Sequence, residues 1–202
     1  LDGAPLFQNL SFTVNKEDKI ALVGNEQAIT ALFRILMEED TPDGGSFKWG
    51  VSITKSYFPH DNTAYFQNCS LSIIDWLAQY SKDTTETYLR GFLGRMLFSN
   101  DSVFKPVNVL SGGEKVRCML SRMMLFGSNF LLLDQPTDHL DLESISAVNN
   151  GLAAFRGNIL FSSRDYELVN TVANRIIELT PDGMTDFSGS YEDFLARKKE
   201  QA

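Results

Sequence analysis

Short apolar runs alternate with amphipathic stretches along most of the chain. Residues 20–23, 129–133 and 158–161 are almost continuously apolar, which is typical of strands buried on both faces of a sheet. Apolar residues recur at helical spacing over 145–155, a further helix is predicted at 166–173, and a strand at 175–179. This order predicts an α/β fold with a mainly parallel sheet that helices cover on both faces.

The N-terminal stretch has a different period. Residues 6–14 alternate between apolar and polar, as in a half-buried strand, and a charged turn follows at 16–19. Two short strands are predicted on either side of residues 48–50. We therefore expect an antiparallel β part at the N-terminal end of the domain. A loop is predicted at 25–29, followed by a helix over 31–37.

The middle of the chain has a helical pattern. Two stripes of apolar residues recur at helical spacing. The first is formed by Leu71, Ile74, Leu77 and Tyr80, and the second by Tyr88, Phe92 and Met96, with Leu89 and Leu93 beside them. Another helix is predicted after residue 111. We expect residues 68–125 to form a helical subdomain, inserted into a single domain that spans residues 1–202.

Composition narrows the classes of protein that fit this pattern. The chain has 202 residues, 43% hydrophobic and 22% charged, which suffices for a globular core without disulfides or a structural metal. Its apolar runs are shorter than the ~20 residues that cross a bilayer, and its first residues do not resemble a signal peptide. Cys69 and Cys118 lack partners at metal-ligand spacing, and free thiols favour a cytoplasmic location. A net charge of −8 disfavours independent nucleic-acid binding.

Polar residues follow three of the predicted strands. Gly24 ends the first strand, Asp134 and Gln135 follow the second, and residues 162–164 follow the third. Ligands of parallel α/β sheets bind beyond the carboxyl ends of the strands, so this convergence suggests a phosphate site. Strand ends that are polar without binding a ligand would give the same pattern, and convergence alone leaves both interpretations open.

A glycine-rich helix start favours the phosphate site. Residues 110–117 read Leu-Ser-Gly-Gly-Glu-Lys-Val-Arg. Ser111 and Glu114 have the spacing of a capping box, while Gly112 and Gly113 leave backbone N–H groups open to an anion. Farther along, residues 131–141 read Leu-Leu-Leu-Asp-Gln-Pro-Thr-Asp-His-Leu-Asp. The two runs resemble the signature and Walker B motifs of ABC-type ATPases, which implies an ABC-type P-loop fold with ATP and Mg²⁺ as cofactors.

The details of these motifs are similar to one subfamily, the ABC-F proteins. The similarity lies in the signature ending Glu-Lys-Val-Arg, in residues 138–144 and in residues 187–195. ABC-F proteins are soluble, fuse two ATPase domains without a membrane domain, and often act on the ribosome. Glu114 after the paired glycines is similar to their second halves. The resemblance implies a C-terminal ATPase domain whose partners are a second, head-to-tail ABC domain and the ribosome, with no membrane and no metal other than Mg²⁺.

The region that resembles the phosphate-binding loop departs from the family pattern. A working loop reads Gly-x-x-x-x-Gly-Lys-Ser/Thr. Here the loop is one residue short, Ala28 replaces a glycine and Ile29 replaces the lysine, while Glu26 adds a negative charge. Losing a charge-assisted contact weakens binding by roughly tenfold to a hundredfold. The resemblance assigns ATP contacts to Gly24, Asn25, Glu26, Gln27, Ala28, Ile29, Thr30 and Ala31.

The positions that resemble catalytic residues also depart from the pattern. Thr30 and Asp134 are the expected Mg²⁺ ligands. Gln135 stands where a glutamate usually polarises the attacking water, and an amide cannot accept that proton. Arg164 replaces the switch histidine, and we hypothesise that it binds the γ-phosphate and partly restores the charge missing at Ile29.

Three other positions follow from the same resemblance. His60 corresponds to the glutamine of the Q-loop, and Asp141 is the D-loop residue that faces a partner domain. His139 lies in the connection between Asp134 and Asp141 and is expected to be structural.

Three functions remain compatible with the sequence. In the first, residues 111–114 complete an ATP site held by the partner domain, while the home site, formed by the chain's own phosphate loop, is degenerate. In the second, the chain is a slow ATPase in its own right, with Gln135 and Arg164 as catalytic residues. In the third, it is an interaction module that never binds nucleotide. A transporter subunit is disfavoured because residues 138–144 and 187–195 resemble ABC-F proteins.

Overall fold

The computed structural model describes residues 5–98, 100–138 and 140–200, and a sheet of six strands lies at the centre of this part. The strands are β1 (Lys19–Gly24), β2 (Lys55–Phe58), β3 (Phe130–Asp134), β4 (Asn158–Ser162), β5 (Arg175–Thr180) and β6 (Gly183–Ser188). Their order is β2–β3–β4–β1–β5–β6. All neighbours are parallel except β5 and β6, so the predicted mainly parallel sheet is confirmed.

Helices connect the strands and cover both faces of the sheet. They are α1 (Glu26–Leu36), α2 (Ile73–Ala78), α3 (Glu86–Arg95), α4 (Gly112–Leu125), α5 (Leu142–Ala154), α6 (Tyr166–Val172) and α7 (Tyr191–Glu200), with 3₁₀ turns at Thr63–Tyr65, Asn100–Phe104 and Val107–Val109. No helix in the described ranges is long and apolar enough to cross a bilayer.

Alternate residues of the strands build two apolar layers. In β3, Phe130 and Leu132 join the layer under α1, whereas Leu131 and Leu133 join the layer that contains residues of α2 to α7. Because side chains alternate across a strand, a continuous apolar run is needed where both faces are covered. The buried runs of the sequence therefore become the central strands.

The predicted N-terminal antiparallel part is wrong. Residues 5–18 and 46–54, all within the described ranges, form no strand. The apolar residues of the first segment still pack against the α1 layer, so the alternation correctly predicted burial. Asn9 has a positive φ of 54°, which interrupts an extended run, and ladder hydrogen bonds need a neighbouring strand that the pattern alone does not supply.

Residues 68–125 hold α2, α3 and α4, as the helical pattern predicts, although their separation into a subdomain stays a prediction. Ile74 and Leu77 are buried on α2. At α3 the predicted stripe is confirmed in part, because Met96 is buried and Phe92 packs against the core, whereas Tyr88 is 44% exposed. Leu89 and Leu93, which lie beside the stripe, are the most deeply buried residues of this helix.

A partly buried arginine joins the antiparallel edge to the rest of the sheet. Arg175 on β5 donates two hydrogen bonds to Asp186 on β6, at 2.8 and 2.6 Å, and one to Asp18 at 2.8 Å. It also donates to the carbonyl of Thr13 at 2.8 Å. The hydrogen bonds from Arg175 lower the pKa of Asp186. Charge on this carboxylate therefore stabilises the folded state.

We expect Asp186→Asn to lower the free energy of unfolding at neutral pH and also to reduce the dependence of that free energy on pH. A lowered pKa in the folded state means that the stabilisation is fully present above about pH 4 and is lost as the pH falls through the folded pKa. We expect a contribution of about 1 kcal/mol, because Asp186 keeps 35% exposure and water screens the pair. The free energies of unfolding of wild type and variant, measured with urea, should differ at pH 7 and become similar near pH 3. Asp43→Asn, in an exposed turn, is the control; an unchanged difference at both pH values would contradict the assignment.

Candidate functional site

The carboxyl ends of β1, β2, β3 and β4 meet at one edge of the sheet. This edge carries Gly24, His60, Asp134 with Gln135, and residues 162–164. The residues that converge in the sequence argument are therefore neighbours in space. Their roles toward a nucleotide stay predictions.

A hydrogen-bonded group at the centre of this edge is built around Asp134. The Thr30 hydroxyl donates to Asp134 Oδ2 at 2.7 Å, and the Ser162 hydroxyl donates to Oδ1 at 3.1 Å. Burial raises the pKa of Asp134, and the two hydrogen bonds oppose this in part. Thr30 and Asp134 place two hard oxygen atoms side by side, which fits Mg²⁺, a cation that is commonly held by few protein oxygens and several waters.

The segment that resembles a phosphate-binding loop is not a loop. Helix α1 begins at Glu26, so the loop predicted over 25–29 is wrong. Asn25 caps the helix, with its side-chain oxygen accepting the Ala28 N–H at 3.1 Å. The side chains of Ala28 and Ile29 are buried in the α1 layer and do not face the site. Because the cap occupies a donor that an anion would use, this helix start does not fit a phosphate group as a complete loop would.

Arg164 forms an ion pair with Glu26 across the site. Arg164 Nε and Nη2 donate to the two carboxylate oxygens of Glu26 at 2.6 and 2.5 Å. This contact lowers the pKa of Glu26 and raises that of Arg164. Asp138 lies 3.9 Å from Arg164 Nη1 and 3.3 Å from His60 Nε2. Four charged or titratable side chains thus meet above the strand ends, and Arg164 already has a carboxylate partner.

Gln135 ties two strand ends together. Its backbone is left-handed, with φ 50°, and its N–H lies 3.2 Å from the Ser162 carbonyl oxygen and 3.3 Å from the Ser162 hydroxyl. Its side-chain oxygen accepts the backbone N–H of Arg164 at 3.2 Å. The amide that resembles the catalytic position is therefore buried and partly used within the fold.

The predicted capping box forms at the start of α4. Ser111 Oγ accepts the Glu114 N–H at 3.3 Å, and Glu114 Oε2 accepts the Ser111 N–H at 2.7 Å. Burial raises the pKa of Glu114, but hydrogen bonds from Lys105 and Ser111 outweigh it and the pKa is lowered. The Glu114 side chain therefore completes the capping box and pairs with Lys105.

The two glycines after Ser111 differ in their surroundings. Gly112 is exposed, and a Cβ added there would meet nothing within 4 Å. A Cβ on Gly113 would come within 2.8 Å of Ser144 Oγ, so that glycine permits close packing of α5. The free end of α4 thus presents backbone donors toward an open surface.

Asp141 caps α5, with its Oδ1 accepting the Ser144 N–H at 2.7 Å. Its side chain is exposed, and the following Leu142 is 83% exposed. An exposed carboxylate and leucine beside the start of α4 are compatible with the predicted D-loop. His139 lies outside the described residues.

Sequence reasoning missed the pairing of Glu26 with Arg164 and the part played by Asp138. These residues come from α1, from the loop after β3 and from the loop after β4. Their opposite charges are a signal for pairing only after the sheet order is known.

The family model described as "ABC transporter" matches residues 7–138, more than half of the chain. The chain is 57% identical over 197 residues to the uncharacterized ABC transporter ATP-binding protein YkpA of Bacillus subtilis (strain 168), covering 96% of this chain and 36% of the relative. It is 28% identical over 201 residues to ABC transporter F family member 2 of Arabidopsis thaliana, covering 98% and 30%. The chain spans about a third of the length of these curated relatives.

Solved structures share the fold. The complex of an archaeal ribosomal stalk protein with the archaeal ribosome recycling factor aABCE1 matches with a TM-score of 0.73 at 21% identity, covering 91% of this chain and 37% of that one. A putative metal-chelate type ABC transporter in an inward-facing conformation matches with a TM-score of 0.70 at 21% identity, covering 90% and 76%. At this identity the likeness concerns the α/β fold of ABC ATPases.

Proposed function

Because this chain belongs to the family of ABC transporter ATP-binding domains, we propose that it donates the signature motif to ATP held by a partner domain. Its own site would bind nucleotide weakly. The partner would be a second ABC domain arranged head to tail, so that residues 111–113 face the partner's phosphate loop. When bound, ATP would supply the γ-phosphoryl group that is transferred to water with ADP as the leaving group. This chain's helix start would bind and orient the phosphates.

One contrast carries this proposal. Both helix starts are capped, α4 by Ser111 and α1 by Asn25, but the start of α4 is exposed and open at Gly112, whereas Glu26 at the start of α1 is bridged to Arg164. Backbone N–H groups and the helix dipole favour an anion at both helix starts, and at α1 the Glu26 carboxylate already takes that place. The capacity to bind phosphate therefore lies on the surface that would meet a partner.

The relatives support a more specific role. ABC-F members are among them, and one structural relative is a ribosome recycling factor bound to a stalk protein. We infer that this chain is the C-terminal ATPase domain of an ABC-F protein that acts as a ribosome-associated translation factor in the cytoplasm. Glu114 after the paired glycines and the free cysteines agree with this inference.

The isolated chain should bind a fluorescent ATP analogue at least about tenfold more weakly than an ABC domain with a complete phosphate loop. The reason is the missing lysine, since Ile29 is buried and Arg164, on the opposite side of the site, is already paired with Glu26. Adding Mg²⁺ should change the affinity by less than about twofold, because phosphate contacts are needed to hold the ion. Equilibrium titration with and without Mg²⁺ measures both. Low-micromolar, Mg²⁺-dependent binding would contradict a degenerate home site.

A slow ATPase is the second candidate, favoured by the intact contact of Thr30 with Asp134. It requires steady turnover by the isolated chain that is lost in Asp134→Ala. Turnover that survives this substitution would come from a contaminant and would not support that candidate.

A further inference from the structure

Glu26 holds Arg164 in a planar, two-point contact beside a cavity. The guanidinium donates from Nε and Nη2 to both oxygens of one carboxylate. An open cavity of about 420 Å³ runs along α1 from this contact, lined by Glu26, Gln27, Thr30, Ala31, Arg34 and Asp40. The cavity includes Thr30, which also bonds Asp134. The space for a ligand is present, and the two cations at its ends are already paired, Arg164 with Glu26 and Arg34 with Asp40.

A guanidinium recognises carboxylate and phosphate with the same fork of two parallel donors. The edge formed by Nε and Nη2 accepts one such partner at a time, and the Nη1 of Arg164 lies 3.9 Å from Asp138. Glu26 also lies in the first turn of α1, where the helix dipole favours a negative charge. Its carboxylate therefore takes two interactions, a guanidinium fork and a helix start, that a phosphate group would use.

We propose that Glu26 is a built-in replacement for phosphate, and that it selects against polyphosphate ligands in the home site. The inference rests on the proposed function, because it explains why this site is weak while its metal-binding pair is intact. The carboxylate also joins α1 to the loop after β4 without a nucleotide. Arg164 is then a partner of Glu26 and not, in the wild-type chain, a γ-phosphate ligand.

Glu26→Gln should bind inorganic tripolyphosphate and ATP about five- to tenfold more tightly than the wild type, measured by isothermal titration. The expected gain is at the lower end for a charge-assisted contact, because both side chains are about half exposed. Tripolyphosphate isolates the phosphate contacts from those of base and ribose. Glu167→Gln is the matched control, since it removes the same charge from an exposed first turn of α6.

Two Arg164 variants locate the gain. In the wild-type background Arg164→Ala should weaken binding by a smaller factor than in the Glu26→Gln background, because the guanidinium is already occupied. In the Glu26→Gln background it should cancel the gain. The inference is overturned if Glu26→Gln binds no better than Glu167→Gln, if the double variant keeps the gain, or if only ATP gains and tripolyphosphate does not.

An equal loss of ATP binding on Arg164→Ala in both backgrounds would also overturn the inference, since it would show that Glu26 does not compete with phosphate for the guanidinium. Asp138, at 3.9 Å, is the remaining acidic neighbour of Arg164, and Asp138→Asn in the Glu26→Gln background should add to the gain. These titrations measure phosphate binding at the home site alone, so they test the role of Glu26. The proposed function is tested separately, by the ATP turnover of a two-domain protein.

Discussion

A Gly112→Asp substitution is expected to reduce ATP turnover by at least about 100-fold in a two-domain protein that carries this chain as one half. A carboxylate at this position would face the triphosphate that the exposed helix start is proposed to bind. The fold should tolerate the change, because a Cβ at Gly112 meets nothing within 4 Å and an acidic residue suits the first turn of a helix. Steady-state phosphate release at saturating ATP measures the effect.

The control for this prediction is Gly91→Asp, which makes the same change on α3 at a glycine whose Cβ also has open space. It should leave turnover within about twofold. Asp134→Ala provides the second comparison, because it removes one of the two residues, Thr30 and Asp134, that are expected to hold Mg²⁺ in the home site. If the chain works through its signature, Asp134→Ala is the milder variant. The reverse order, with Gly112→Asp nearly silent and Asp134→Ala inactive, would show that the home site performs the chemistry.

The central strands and the cap of α4 could be predicted because their signals are local. Continuous apolar runs become β1, β3 and β4, since only a strand covered on both faces is apolar at every position. Ser111 and Glu114 three residues apart predict a capping box, and both of its hydrogen bonds form. In each case the residues that decide the structure lie within a few positions of one another.

The home site could not be predicted in the same way. The sequence pattern predicted a loop over residues 25–29, but Asn25 caps a helix that begins at the next residue. This cap depends on residues close together in the sequence, as the cap at Ser111 does, and the prediction of a loop overlooked it. The contact of Glu26 with Arg164 joins residues 138 positions apart, so it follows only from the adjacency of β1 and β4. Opposite charges alone do not specify such a pair.

Gly24→Ala is expected to destabilise the folded chain by about 3 kcal/mol, the largest stability effect among the variants considered. Gly24 has φ +121°, a conformation that side chains with a Cβ rarely adopt. An added Cβ would lie 2.3 Å from the carbonyl oxygen of Leu179, which is backbone of the paired strand β5. Relief would require β1 and β5 to separate, and both strands are paired with a neighbour on each side.

Urea unfolding of Gly24→Ala measures this cost, with Gly44→Ala as the control. A Cβ at Gly44 meets nothing within 4 Å, so that variant should change stability by less than about 1 kcal/mol. Equal unfolding midpoints for the two variants would show that the end of β1 can yield. The expected difference would mean that position 24 needs a glycine for structural reasons, whether or not a phosphate binds there. The family resemblance assigns Gly24 to ATP, but the pairing of β1 with β5 already requires a glycine there. Its presence in the sequence therefore does not indicate a working phosphate loop. Whether this site binds nucleotide has to be judged from Asn25, Glu26 and Arg164.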